Sequence, residues 1–468
     1  MKNNFLTRST LLLPFAALLT LQPETGLAQW TTVGLSEAKW QVFAAAAGKK
    51  VVFAGGSKGA NTASPTKAEI YDLETQVVTP HTLSPGRSQP GMTAADGKIF
   101  IAGGYKLPVG PFGFNSDQVD IYDTQDDQWT QDKLSVPRFS IAAGAVGSKV
   151  LFAGGVAILA SGAYEFYNVI DVYDLNTKIW DTLYLSEARA EMAVVVLGNK
   201  ILFAGGTSNE HLSSDVVDVY DAASNTMLTP MKLSLSRDLP AATAVGKYAL
   251  IAGGGHFKDD GSVEWSDVVD IWDAEMNEWS TASLSQPRAF MTAGTIGNRA
   301  FFAGGGEVDI NIGAYTTSST RVDIFDLAAG GSWSAAEMPS SRSTCYGVAY
   351  CNQLFMPGGW YPEGPQIFSD VLVFTDNSFS CLNSTGEVPR DALVIAPNPV
   401  RQEVQLRNTE PEGYAGFEIF SQTGRLAIAR QDWPATGRID VSTLAAGVYC
   451  LRITGLTGKV LYRRFVKL

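Results

Sequence analysis

The chain has 468 residues, 45% of them hydrophobic and 18% charged, with 46 glycines and a mean hydropathy near zero. That length exceeds one ordinary core and that composition excludes a disordered chain, so it suits a repeat array or a large domain joined to a small one, rich in tight turns and therefore all-β. A net charge of −12 and a pI near 4.9 argue against the basic surface that phosphate binding needs, so nucleic acid is not an expected partner.

At the N-terminus, Lys2 and Arg8 precede an apolar run from Leu11 to Leu21, and Gly26-Leu27-Ala28 fits a small-residue cleavage site before Gln29. Residues 1–28 therefore read as a secretory signal peptide. The apolar run contains Pro14 and falls well short of the ~20 residues that span a bilayer. No other stretch is long and apolar enough, so no transmembrane segment is expected in the mature chain.

Internal spacing carries the strongest signal. Glycine doublets begin at Gly55, Gly103, Gly154, Gly205, Gly253, Gly304 and Gly358, separated by 48, 51, 51, 48, 51 and 54 residues. A basic residue stands 16 positions before each: Lys39, Arg87, Arg138, Arg189, Arg237, Arg288 and Arg342. Between the two lie a pair of short apolar runs joined by a glycine turn, such as Leu197-Gly198-Asn199-Lys200, which predicts a β-hairpin. After each doublet come a polar loop and a Val-Asp-x-Tyr-Asp strand, as at Val119–Asp123 and Ile170–Asp174. A large apolar residue, often Trp, follows and places a fourth strand: Trp129, Trp180, Trp279 and Trp333.

Four strands per period, with Gly-Gly, an aromatic and a Trp at set intervals, resemble the kelch repeat, whose fold is a β-propeller with one repeat per blade. The resemblance implies seven blades over residues 29–381. Trp30 stands 9 residues before Lys39, the interval that separates Trp129 from Arg138, whereas no Trp follows Phe374. The N-terminal segment is thus expected to supply the outer strand of the last blade and close the ring, leaving only short protected edges.

Of four cysteines, Cys345, Cys351 and Cys381 lie close together, and export favours a disulfide between two of them, the pair not being readable; Cys450 is expected to be a buried small apolar residue. With no CxxC pair and only His81, His211 and His256, neither a metal site nor another cofactor is expected.

Residues 382–391 read as a linker, and residues 392–468 as a separate small β-sandwich. Ala396-Pro397-Asn398-Pro399, the Thr423-Gly424-Arg425 turn, the run from Leu444 to Ile453 and the basic strand ending at Leu468 together resemble the type A sorting domain of the type IX secretion system. That resemblance implies passage to the periplasm, then the outer-membrane translocon as a partner, with the product secreted or held at the outer-membrane surface.

Function is expected on the disc face that collects the loops after each doublet. Trp40, Phe139, Tyr167, Trp265, Phe290, Tyr315, Trp360 and Tyr361 lie on these loops or just beyond the basic positions. Rigidly mounted aromatic rings suit a protein, peptide or glycan ligand. The basic residues enter the innermost strand, so a ring of them around the central channel is expected, and like charges at such spacing need neutralising. Either the Asp residues of the Val-Asp-x-Tyr-Asp strands supply this, or an anionic ligand does. The resemblance extends the second reading to Arg87, Arg138, Arg189, Arg237, Arg288 and Arg342, and more weakly to Lys39. A monomeric binding module is the expected function. The alternative is a sugar enzyme, since kelch propellers include a sialic-acid epimerase; its acid/base would be a loop carboxylate such as Glu165, Glu210, Glu264, Glu307 or Glu363. Copper radical oxidases, also built on kelch propellers, need two His, two Tyr and a cross-linking Cys in one pocket; three widely separated His and propeller cysteines confined to the last repeat argue against that chemistry.

Overall fold

The computed structural model describes residues 29–378, apart from loop segments 60–61, 107–113, 210–211, 259–261, 310–313 and 362–365, and residues 394–467 apart from several turns. The expected signal peptide, the linker and Cys381 lie outside the described residues.

Every repeat folds into one antiparallel sheet. In the third, Ala142–Val146 pairs with Lys149–Ala153, which pairs with Val169–Asp174, which pairs with Trp180–Tyr184. The second strand is the most apolar: Val150, Leu151, Phe152 and Ala153 are fully buried, because both of its faces pack against other strands. Trp180 on the outer strand packs on Tyr173 with ring centroids 4.9 Å apart, and Trp129 on Tyr122 at 4.8 Å. The last Asp of each Val-Asp-x-Tyr-Asp strand shapes the following turn. Asp174 Oδ1 accepts the backbone N–H groups of Asn176 and Thr177, while its other oxygen holds Lys149 Nζ at 2.8 Å.

The glycine doublets join neighbouring sheets. Gly155 donates its N–H to the carbonyl of Arg189 in the next repeat at 2.8 Å, and Gly359 of the last repeat donates to Lys39 of the first at 3.0 Å. At Gly154, φ is +60° and a Cβ would lie 2.2 Å from the Arg189 carbonyl oxygen, so no side chain fits there. The last sheet holds Val348–Tyr350, Gln353–Pro357 and Asp370–Thr375, and its fourth strand is the N-terminal Gln29–Gly34. Trp30 pairs with Phe374 in register and packs on its ring at 5.0 Å. The first and last repeats also meet at the inner strand, where Val42 and Phe43 pair in parallel with Cys345 and Tyr346.

Cys345 is a buried free thiol, pushed by burial up to about 12, and Cys351 is disulfide-bonded. Pairings through Cys345 are therefore excluded.

Residues 394–467 form two sheets. Val394–Ala396, Glu403–Arg407 and Arg438–Asp440 make one; Leu426–Asp432, Tyr414–Ser421, Gly447–Gly455 and Val460–Lys467 make the other. Val404 and Ile439 from the first sheet share one core with Phe417, Ile419, Leu451, Ile453 and Phe465 from the second. No described helix is long and apolar enough to cross a membrane.

Candidate binding site

The basic residues do not open onto the channel. Arg87, Arg138, Arg189 and Arg237 are fully buried, Arg288 and Arg342 nearly so, and each reaches across its own sheet to a carboxylate. Arg138 Nη2 meets Asp171 Oδ2 at 2.8 Å, and Arg288 Nη2 meets Asp323 Oδ2 at 2.7 Å. Arg87, Arg189 and Arg237 pair likewise with Asp120, Asp218 and Asp270. Lys39 pairs with the longer Glu69 at 2.6 Å. Of the two readings open for the basic ring, internal carboxylates rather than an anionic ligand take the charge, and the expectation that the ring faces the channel is corrected.

In five repeats the same side chain also reaches the glycine carbonyl 16 residues on. Arg138 Nε donates to the carbonyl of Gly154 at 2.7 Å, Arg189 Nη1 to Gly205 at 2.6 Å and Arg342 Nη1 to Gly358 at 3.1 Å. The Asp is shared with the incoming crossover: Asp171 Oδ1 accepts the N–H of Ser135, and Asp270 Oδ1 that of Ser234. Burial pulls the guanidinium pKa of Arg138, Arg189, Arg237 and Arg288 below its ordinary value, opposed by the paired Asp. The last repeat departs from the pattern. Leu372 occupies the Asp position, so Arg342 turns to Asp370 at 2.9 Å and lies 4.0 Å from the Phe368 ring centre.

Two residues beyond each basic position the chain turns toward the channel, except in the last repeat, where Thr344 is fully buried. Gln41, Gln89, Ser140, Glu191, Leu239, Phe290 and Thr344 all have φ between 49° and 61°, a left-handed backbone that costs a non-glycine residue about 1 kcal/mol or more. They are tied around the mouth by backbone bonds: Gln41 donates to Thr344, Ser140 to Gln89, Glu191 to Ser140 and Thr344 to Phe290, at 2.9 to 3.4 Å. Five of them, Gln89 to Phe290 in chain order, line a channel cavity of about 270 Å³.

A wider basin of about 950 Å³ opens over the first four repeats on the loop face. Its walls carry Trp40, Tyr105, Phe139, Tyr164 and Phe166, and Gln41, Gln89 and Glu191 line it too. Glu191 lines both cavities and is the one charged residue among the described lining residues of either. Burial pushes its carboxyl up to about 6.

Of the expected aromatic contacts, Trp40 and Phe139 line the basin and Phe290 the channel. Trp265 packs on Phe290 with centroids 6.1 Å apart. Tyr167 does not line either cavity; its hydroxyl donates to Glu165. Trp360 and Tyr361 lie half-buried on a short hairpin in the last repeat, away from the described lining of both cavities. Tyr315 is on the strand Ala314–Tyr315, and its side chain lies outside the described residues. Among the loop carboxylates, Glu264 is paired with Lys258 at 2.8 Å, Glu165, Glu264 and Glu307 line neither cavity, and Glu210 and Glu363 lie outside the described residues. Sequence reading passed over Gln41, Gln89 and Glu191. The signal that could have found them is their constant distance of two residues from the basic position.

Residues 86–131 match the kelch motif family, and residues 394–467 the secretion system C-terminal sorting domain. The chain is similar to Kelch-like protein 25 of Xenopus tropicalis, 26% identical over 275 residues, 56% of this chain and 43% of that protein. It is also similar to Kelch-like protein 25 of Rattus norvegicus, 25% identical over 258 residues, 54% of this chain and 42% of the relative. The chain thus spans less than half the length of these curated relatives. A solved structure titled "Structure of YjhT" is 17% identical with a TM-score of 0.50, covering 65% of this chain and 99% of its own, a likeness of fold alone. The repeats, the sheets they form and the tail make this chain a kelch-repeat β-propeller protein that ends in a type IX secretion sorting domain.

Proposed function

We propose that the chain is an exported binding module whose ligand, a peptide or a glycan, sits in the aromatic basin over the first four repeats. A leader over residues 1–28 and a tail over 392–468 direct export, and the propeller over 29–381 is the cargo that acts outside the cell or at its surface. The observation that carries this reading is the basin itself, of ligand size, walled by five aromatic rings and furnished with amides and hydroxyls. The enclosed arginines weigh against gripping an acidic ligand, and equally against holding the carboxylate of a sialic acid.

Peptide and glycan arrays probed with the purified full chain test the proposal. Binding that falls at least tenfold with Phe139→Ala, in a protein that still melts cooperatively, is the expected result. Ligands indifferent to Phe139→Ala and Trp40→Ala would place binding elsewhere. A sugar-epimerising activity is the second reading, and Glu191, which lines the basin with its carboxyl pushed up to about 6 by burial, is what favours it; an anomer-interconversion assay on sialic acids decides it.

A further inference from the structure

Glu191 shares its left-handed backbone with its counterparts in the other repeats, but it alone among them carries a charge, which the fold does not require. Its backbone is in the left-handed region at φ +59°, and its carboxylate has no hydrogen-bond or ion-pair partner among the described residues. In the next repeat Asp238, 5% exposed, has an Oδ1 atom with no hydrogen-bond partner. Burial, with repulsion from the Glu191 carboxylate added, holds Asp238 well above its usual range. Neither has a cation to itself, because Arg189 and Arg237, beside them in sequence, are bound to Asp218 and Asp270. Uncompensated charge in a recessed site is unfavourable unless something supplies the opposite charge.

The surroundings indicate what that is. Phe139, Tyr164 and Phe166 line the same basin as Glu191, and faces of aromatic rings attract cations as carboxylates do. No described lining residue is basic. We infer that the basin takes a basic side chain of a peptide partner, its cationic head on the Glu191 carboxylate at the channel mouth and its aliphatic stem along the aromatic wall. Gln41 and Gln89, joined side chain to side chain at 3.4 Å, offer amide oxygens beside it. This rests on the basin being the binding site and adds the chemistry of the ligand.

The test is an array of capped random hexapeptides probed with the purified full chain. Lysine and arginine should be enriched at least fivefold among the binders, and Glu191→Gln, which keeps shape and backbone, should weaken the best binder at least tenfold. Asp238→Asn, further from the ligand, should weaken it less, about threefold. Acetylating the lysine of a binder should cost as much as Glu191→Gln. Binders without basic residues, binders indifferent to Glu191→Gln, or no binders at all would overturn the inference. Should ligands be lost with Phe139→Ala but not with Glu191→Gln, the basin reading stands and the cation falls. Calcium chloride binding the protein in calorimetry while lysine peptides do not would also overturn it.

Discussion

Two rings of residues run around the inner edge of the propeller, two positions apart in sequence, and they meet opposite fates. The basic ring, Lys39 to Arg342, is buried and each member has a carboxylate. The ring that follows, Gln41 to Thr344, is strained, six of its seven members face the cavities, and its one acid has no cation among the described residues. The first is nearly uniform because every repeat must fasten its incoming crossover to its own third strand. The second varies from Gln to Ser to Glu to Phe because its backbone does the joining, which leaves the side chains free to differ. Uniformity around a propeller therefore marks the scaffold, and variation on a fixed backbone marks the surface available to a ligand.

The largest break of this comparison is expected in the basic ring. Arg138→Ala leaves Asp171 buried without its cation and should destabilise the fold by about 3–5 kcal/mol, read as a shift of the denaturant midpoint. In the second ring the sign reverses. Burial raises the Glu191 carboxyl from 4.5 to about 6, so ionising it opposes folding: that penalty is fully present above pH 6 and absent below 4.5. Glu191→Gln should stabilise the protein by up to about 2 kcal/mol at pH 8 and leave it unchanged at pH 4, where both side chains are neutral. The smallest expected effect sharpens the ligand. Affinity for a lysine peptide should fall about tenfold from pH 8 to pH 5 as Glu191 takes a proton, with Asp238 the titratable neighbour facing it and Arg189 held by Asp218. Glu191→Gln should flatten that dependence.

Much of the architecture was legible because it is periodic. In five repeats the spacing of 16 residues corresponds to a bond from a guanidinium to a glycine carbonyl across the sheet. Trp30 announced its place because the interval to Lys39 repeats that of Trp129 to Arg138, and the ring contact with Phe374 follows. The direction of the arginines was not settled by sequence. Entering an inner strand, Arg138 could point to the channel or back into the sheet, and what decides is Asp171, 33 residues later. The second ring was hidden for a different reason. A left-handed backbone usually announces itself through glycine, and here it is filled by Gln, Ser, Glu, Leu, Phe and Thr, imposed by contacts between repeats. Leu372 shows the same limit: the missing Asp is visible in sequence, but the substitution of Asp370 and Phe368 for it is not.

The most direct test of the division between the two rings is to measure unfolding and peptide binding together on Arg138→Ala. A midpoint that falls by several kcal/mol equivalents, with the remaining folded protein binding as the wild type does, is the predicted result. An unchanged midpoint with binding lost would return the arginines to the ligand and contradict the account.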